Sequence, residues 1–85
     1  MKNVEVYTGP LCAFCDWTKA LFKKKGVVFK EINIGDNPNK MSEMVKKSNG
    51  MKTVPQIFID GKHIGGYQEL QALEKEGKLN SLLGI

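Results

Sequence analysis

The chain has 85 residues, 41% hydrophobic and 26% charged, which suffices for one small domain over residues 1–85 and leaves no length for a separate cofactor domain. Thirteen basic residues against nine acidic give a net charge of +4, and every basic residue is Lys. Without an Arg fork, base readout of nucleic acid is disfavoured and diffuse attraction to small anions or acidic proteins is favoured, while two cysteines are too few for a disulfide-stapled secreted scaffold.

The alternation Met1-Lys2-Asn3-Val4-Glu5-Val6-Tyr7 predicts a strand, not the apolar stretch of a signal peptide. Thr8-Gly9-Pro10 ends it in a loop, and Trp17, Ala20 and Leu21 with Lys23-Lys24-Lys25 predict an amphipathic helix that begins close to Cys12 and stops at Gly26. The lysine run is expected to be a solvated helix C-terminus. Val27, Val28, Phe29, Ile32 and Ile34 predict a second strand, and Gly35-Asp36-Asn37-Pro38 a turn whose Pro opens a second helix carrying Met41, Met44 and Val45. Gln56-Ile57-Phe58-Ile59 and Lys62-His63-Ile64 flank the tight-turn pair Asp60-Gly61 and predict a hairpin. Gly65-Gly66 breaks that strand, and Leu70, Leu73, Leu79, Leu82 and Leu83 mark a last helix interrupted at Gly77. The order is βαβαββα. A parallel β-α-β pair joined to an antiparallel hairpin makes a four-stranded mixed β-sheet flanked by α-helices, an α/β fold. No stretch approaches the roughly 18 apolar residues of a membrane span, so the expectation is a cytoplasmic monomer with neither membrane nor nucleic-acid partner.

Cys12-Ala13-Phe14-Cys15 falls where the first loop turns into the first helix. A thiolate there meets unpaired N–H groups and the positive end of the helix dipole, which lower a thiol pKa from about 8.5 by several units. Cys12 is therefore expected to be the nucleophile. Cys15, one turn deeper on the same face, is expected to be the resolving thiol. Two other readings stand beside this one: a pair of inert buried cysteines, and a zinc site, for which only His63 offers a further borderline donor. His63 itself is expected to be a surface strand residue.

These residues resemble the glutaredoxin family of the thioredoxin fold, in particular its short bacterial dithiol members. The resemblance rests on Val4-Glu5-Val6-Tyr7-Thr8, the Cys-x-x-Cys, Lys19-Ala20-Leu21, Thr53-Val54-Pro55-Gln56-Ile57-Phe58-Ile59 and Gly65-Gly66, and it spans nearly the whole chain. It implies a glutathione-dependent thiol-disulfide oxidoreductase that reduces glutathione mixed disulfides and protein disulfides. From the residues alone, Pro55 at a strand start is either at a sheet edge or cis; the resemblance implies cis, beside the Cys pair, with the Val54 backbone free to pair with the substrate. It further implies that Gly66 and Tyr67 hold the γ-glutamyl carboxylate of glutathione at the last helix's N-terminus, that Glu69 takes its amino group with Gln68 as a weaker neutral partner, and that Phe14 and Thr53 contact the tripeptide.

The chain departs from the family pattern in two places. Gly9 stands where a Lys usually binds the glycyl carboxylate, and Lys52 is expected to supply that charge instead. Ala13 replaces the usual Pro and Phe14 the usual Tyr, which frees the first helical turn. Some family members without this Pro bind a [2Fe-2S] cluster between two protomers through the first Cys, here Cys12, and glutathione. That cluster-binding dimer is one alternative function; a redoxin recharged by thioredoxin reductase is the other. The partners implied are glutathione and glutathionylated or disulfide-containing proteins, ribonucleotide reductase among them. Trp17, two residues after Cys15, is either a partner-docking side chain or a packed part of the amphipathic helix.

Overall fold

The structure, a computed structural model, describes residues 2–85. Met1, counted above in the first strand's alternation, lies outside the described residues. Strand β1 spans Val4–Thr8, helix α1 Ala13–Lys24, β2 Lys30–Asn33, α2 Pro38–Lys47, β3 Gln56–Ile59, β4 Lys62–Gly65, α3 Tyr67–Lys75 and α4 Leu79–Leu83. The sheet order is β2-β1-β3-β4. β1 pairs with β2 in parallel, and β3 pairs antiparallel with β1 and with β4, so the sheet is mixed as expected.

Both faces of the sheet are covered, and the period-2 alternation of the central strands decides what each face meets. Val4 and Val6 of β1 with Ile57 and Ile59 of β3 pack against Phe22 of α1, Leu70 of α3, and Leu79 and Leu83 of α4. Their neighbours Tyr7 and Phe58 point the other way, onto Met44 of α2. The intervening polar side chains find partners: Thr8 donates to Glu31 at 2.9 Å and Lys19 of α1 pairs with the same carboxylate at 3.0 Å. On the opposite face the Tyr7 hydroxyl donates to Glu43, while Lys47 bonds Tyr7 and Glu5, each at 3.1 Å.

Two elements differ from the sequence expectation. The second strand begins only at Lys30, opposite Glu5. Val27 is spent earlier: its N–H closes the end of α1 on the Phe22 carbonyl at 2.9 Å and its side chain enters the core, while Val28 is 80% exposed. The interruption at Gly77 is complete, with φ +72 there, so α3 and α4 are separate helices and the order gains an eighth element. Lys25 departs from the expected solvated lysine run. Its ammonium is bound by Glu74 at 2.8 Å and Asn80 at 2.7 Å, which ties the end of α1 to α3 and α4. The Asp60-Gly61 turn is as expected, with φ +53 and +80 at its two central residues, the twist a two-residue hairpin needs.

Candidate functional site

The chain reaches Cys12 through Leu11, whose φ of +51 is uncommon for a branched side chain and which stands fully exposed. Cys12 is the N-cap of α1. Its backbone is extended, its carbonyl accepts the Asp16 N–H at 3.2 Å, and its sulfur accepts the Cys15 N–H at 3.0 Å. One of the helix's free donors is thus aimed at this sulfur, the arrangement that stabilises a thiolate. Cys12 and Cys15 are joined as a disulfide, with Cα atoms 5.2 Å apart. Cys15 is 2% exposed, whereas Cys12 is half-buried, so the sulfur an incoming group can reach is that of Cys12.

The Val54-Pro55 peptide is cis, and β3 that follows it lies between β1 and β4, so the edge-strand alternative for this proline is excluded. The Val54 carbonyl oxygen sits 3.8 Å from the Cys12 sulfur. A fixed support holds this loop. The buried Gln56 amide donates to the Thr53 carbonyl at 3.0 Å and to its hydroxyl at 3.3 Å, and its oxygen meets His63 Nε2 at 2.7 Å. Since that amide nitrogen donates to Thr53, its oxygen must accept, and His63 carries its proton on Nε2. His63 is therefore a half-buried buttress of the loop and not the surface residue the sequence suggested.

Beside Cys12 lies a groove of about 380 Å³. Phe14 lines it from α1, Thr53, Val54 and Pro55 from the loop before β3, and Gly66, Tyr67, Gln68 and Glu69 from the start of α3. Eight of the nine non-cysteine residues expected at the site thus come together. Lys52 does not line the groove; it is exposed on the rim between Met51 and Thr53, both of which do. Met51 escaped the sequence reading, and its adjacency to Lys52-Thr53 was the only available signal. At position 9 a Cβ would come within 3.2 Å of Val54 Cγ2, so a side chain there would press on the residue beside Cys12. A larger recess of about 510 Å³ lies at the β2 edge around Lys30, Asp36 and Lys40; the Val54 carbonyl, 3.8 Å from the Cys12 sulfur, ties the smaller groove to the disulfide.

At the far end of the groove, Gly66 is the N-cap of α3 and its N–H is held by the Glu69 carboxylate at 2.6 Å. The Glu69 side chain lies over both glycines: a Cβ on Gly65, whose φ is +119, would meet Glu69 Oε1 at 2.7 Å. Phe14 stacks on Tyr67 with centroids 5.6 Å apart and planes at 20°, and Trp17 packs on both rings.

The glutaredoxin family model matches residues 4–64, from the first strand through the hairpin. The chain belongs to the glutaredoxin family. It is 52% identical to glutaredoxin 3 of Escherichia coli strain K12 over 83 residues, 98% of this chain and 99% of that protein. To glutaredoxin 1 of Rickettsia prowazekii it is 44% identical, over 98% of this chain and 88% of that one. Among solved structures it is similar to a buckwheat glutaredoxin-glutathione complex, with a TM-score of 0.87, 29% identity and coverage of 98% of this chain and 77% of that one. A solution structure of Brucella melitensis glutaredoxin gives 0.83 at 47% identity, covering 98% and 89%. A glutaredoxin has a thioredoxin-like fold and a redox role, and the Cys pair and sheet described above are its parts.

No helix among the described residues is long and apolar enough to cross a membrane. No cluster of three or more His, Cys, Asp or Glu side chains able to hold a metal occurs among them either. A [2Fe-2S] cluster held between two protomers would take Cys12 from each and two glutathione molecules, so this chain supplies one of its four ligands.

Proposed function

We propose that residues 1–85 act as one glutaredoxin domain that reduces glutathione mixed disulfides and protein disulfides with electrons from glutathione. The observation that carries this is the groove itself, which joins the Cys12 sulfur, through Val54, to the N-terminus of α3. The likeness to a glutathione complex supports the same ligand. The γ-glutamyl carboxylate takes the N–H groups of Gly66 and Tyr67, displacing the Glu69 carboxylate, which turns to the α-ammonium released beside it; Gln68 offers a neutral partner. Thr53 and Val54 present backbone to the cysteinyl part, Pro55 and Phe14 pack on it, and Lys52 swings in from the rim to the glycyl carboxylate.

For a glutathione mixed disulfide, the Cys12 thiolate attacks the glutathione sulfur, the sulfur–sulfur bond breaks and the protein thiolate leaves. A second glutathione thiolate then attacks the Cys12-bound glutathione, releasing glutathione disulfide and restoring the Cys12 thiolate. For a protein disulfide, Cys12 attacks one sulfur and the other leaves as thiolate. Cys15 then attacks Cys12, frees the second protein thiolate and leaves the Cys12–Cys15 disulfide, which two glutathione molecules reduce. Cytoplasmic glutathione would supply these electrons, and a disulfide-containing reductase such as ribonucleotide reductase is one protein substrate of the required chemistry.

A coupled assay on a small glutathione mixed disulfide tests the reading. Turnover is expected with glutathione and its reductase. Turnover with thioredoxin reductase alone, and none with glutathione, would assign the chain to the thioredoxin-reductase-dependent redoxins instead.

A further inference from the structure

The stacked rings of Phe14 and Tyr67 form a wall with a recess on each side. One side is the groove beside Cys12. The other is a second recess of about 310 Å³ that runs from these rings and Gln68 along α3, past Gln71 and Ala72, to Lys75. Trp17 stands against the wall, 5.3 Å from Phe14 and 5.7 Å from Tyr67 between centroids. Trp17 is 53% exposed and Phe14 46%, so part of each ring is left in water beside the disulfide, Phe14 between the two cysteines and Trp17 two residues after Cys15. Aromatic surface of this kind gains most when a partner desolvates it.

The charges around this recess are uneven. Every carboxylate on or just after α3 is engaged: Glu69 on Gly66, Glu74 on Lys25 at 2.8 Å and Glu76 on Lys78 at 3.4 Å. Lys75 is the single charged residue lining the recess, and it has no carboxylate within 4.0 Å among the described residues. A second copy of this chain would bring another net +4 and another unpaired Lys75 to the same face, so self-association is electrostatically disfavoured.

We propose that this recess docks the protein half of a mixed disulfide, taking a large apolar side chain near the substrate cysteine against Trp17, Phe14 and Tyr67 while Lys75 pairs with an acidic residue of the same segment. The proposal rests on the glutathione reading, because it is the shared wall that sets the two halves of the substrate in neighbouring recesses. It makes the preferred protein substrates acidic and aromatic around their glutathionylated cysteine. It adds no chemical step to those above.

The test uses two glutathionylated cysteine peptides, one flanked by Phe and Glu and one by Ala and Lys, with the mixed disulfide of glutathione and 2-mercaptoethanol as a small reference. The wild-type chain is expected to show kcat/KM about tenfold higher on the Phe/Glu peptide, the sum of one aromatic contact and one exposed ion pair. Trp17→Ala should lose roughly fivefold on that peptide. Lys75→Glu should shrink the preference for the Phe/Glu peptide to roughly two- to threefold, because its charge share changes sign while its aromatic share stays, and leave the small disulfide unchanged. Equal kcat/KM on the two peptides, or a preference that Lys75→Glu does not move, would overturn the docking surface while leaving the glutathione reading in place. Failure to reduce the small disulfide would overturn both. A concentration-dependent dimer in sedimentation that Trp17→Ala abolishes would assign the face to a second copy of the chain and overturn the proposal.

Discussion

The Glu69 carboxylate folds back onto the Gly66 N–H at 2.6 Å, so in the free protein the donor best placed to receive a ligand carboxylate is already occupied from within the same helix. A ligand carrying carboxylate and ammonium on one carbon can take that donor and give Glu69 a new partner. Glu69→Gln keeps an oxygen able to cap Gly66 and removes the charge that holds the ammonium. Its KM for glutathione mixed disulfides is expected to rise roughly three- to tenfold with little change in kcat or melting temperature. Glu69→Ala should show the same KM effect and in addition lose about 1 kcal/mol of stability through the lost cap. An unchanged KM in both variants, measured by steady-state kinetics, would remove Glu69 from the binding account.

Four side chains set the pH range of stability. A hydrogen bond from Lys19 holds Glu31 below its ordinary value of 4.5, and the Tyr7 hydroxyl does the same for Glu43. Burial, reinforced by Glu43, raises Tyr7 above 10.0. Burial works to lower Lys47, but its hydrogen bonds to Tyr7 and Glu5 outweigh this and raise it above 10.5. Depressed carboxylates stabilise the fold above about pH 4.5 and lose that contribution as pH falls through their folded values. The raised groups contribute below about pH 10 and lose it as pH rises through theirs. Thermal melts should therefore be flat between roughly pH 5.5 and 9 and fall on either side. Glu31→Gln should flatten the acid limb; an acid limb identical to wild type would contradict the assignment.

Lys25 should behave unlike its neighbours. With Glu74 and Asn80 on its ammonium and its side chain only 14% exposed, Lys25→Ala leaves both partners unanswered and is expected to cost about 1 to 2 kcal/mol in urea titration. Lys23→Ala and Lys24→Ala should lie within about 0.5 kcal/mol of wild type. Equal effects at all three positions would mean that the contacts to α3 and α4 carry no stability.

Short-range patterns made most of the fold legible. Val4 and Val6 alternate with Glu5 and Tyr7 because one face of β1 meets the larger apolar core and the other the Glu43 and Lys47 side chains of α2, Asp60-Gly61 states its turn in two residues, and Pro38 and Gly77 punctuate helices where the backbone requires it. Val27 to Phe29 misled because apolar character marks burial without saying whether a ladder partner exists, and parallel pairing opposite Glu5 starts only at Lys30. At the site, the Cys pair and Thr53-Val54-Pro55 were readable as motifs. The Gln56–His63 buttress, the self-capped Glu69 and the Phe14–Tyr67 wall join residues far apart in sequence or depend on a side-chain rotamer, and neither composition nor periodicity carries that information.

Cys12 is the sulfur that opens the substrate disulfide, and Cys15 attacks only to resolve a mixed disulfide between Cys12 and a protein. The decisive measurement is turnover of a small glutathione mixed disulfide by Cys12→Ser and Cys15→Ser, with glutathione and glutathione reductase. Cys12→Ser is expected to show no turnover above background and Cys15→Ser to retain turnover, because its Cys12 sulfur still accepts the N–H of residue 15. Activity surviving in Cys12→Ser, or lost entirely in Cys15→Ser, would contradict this division of roles.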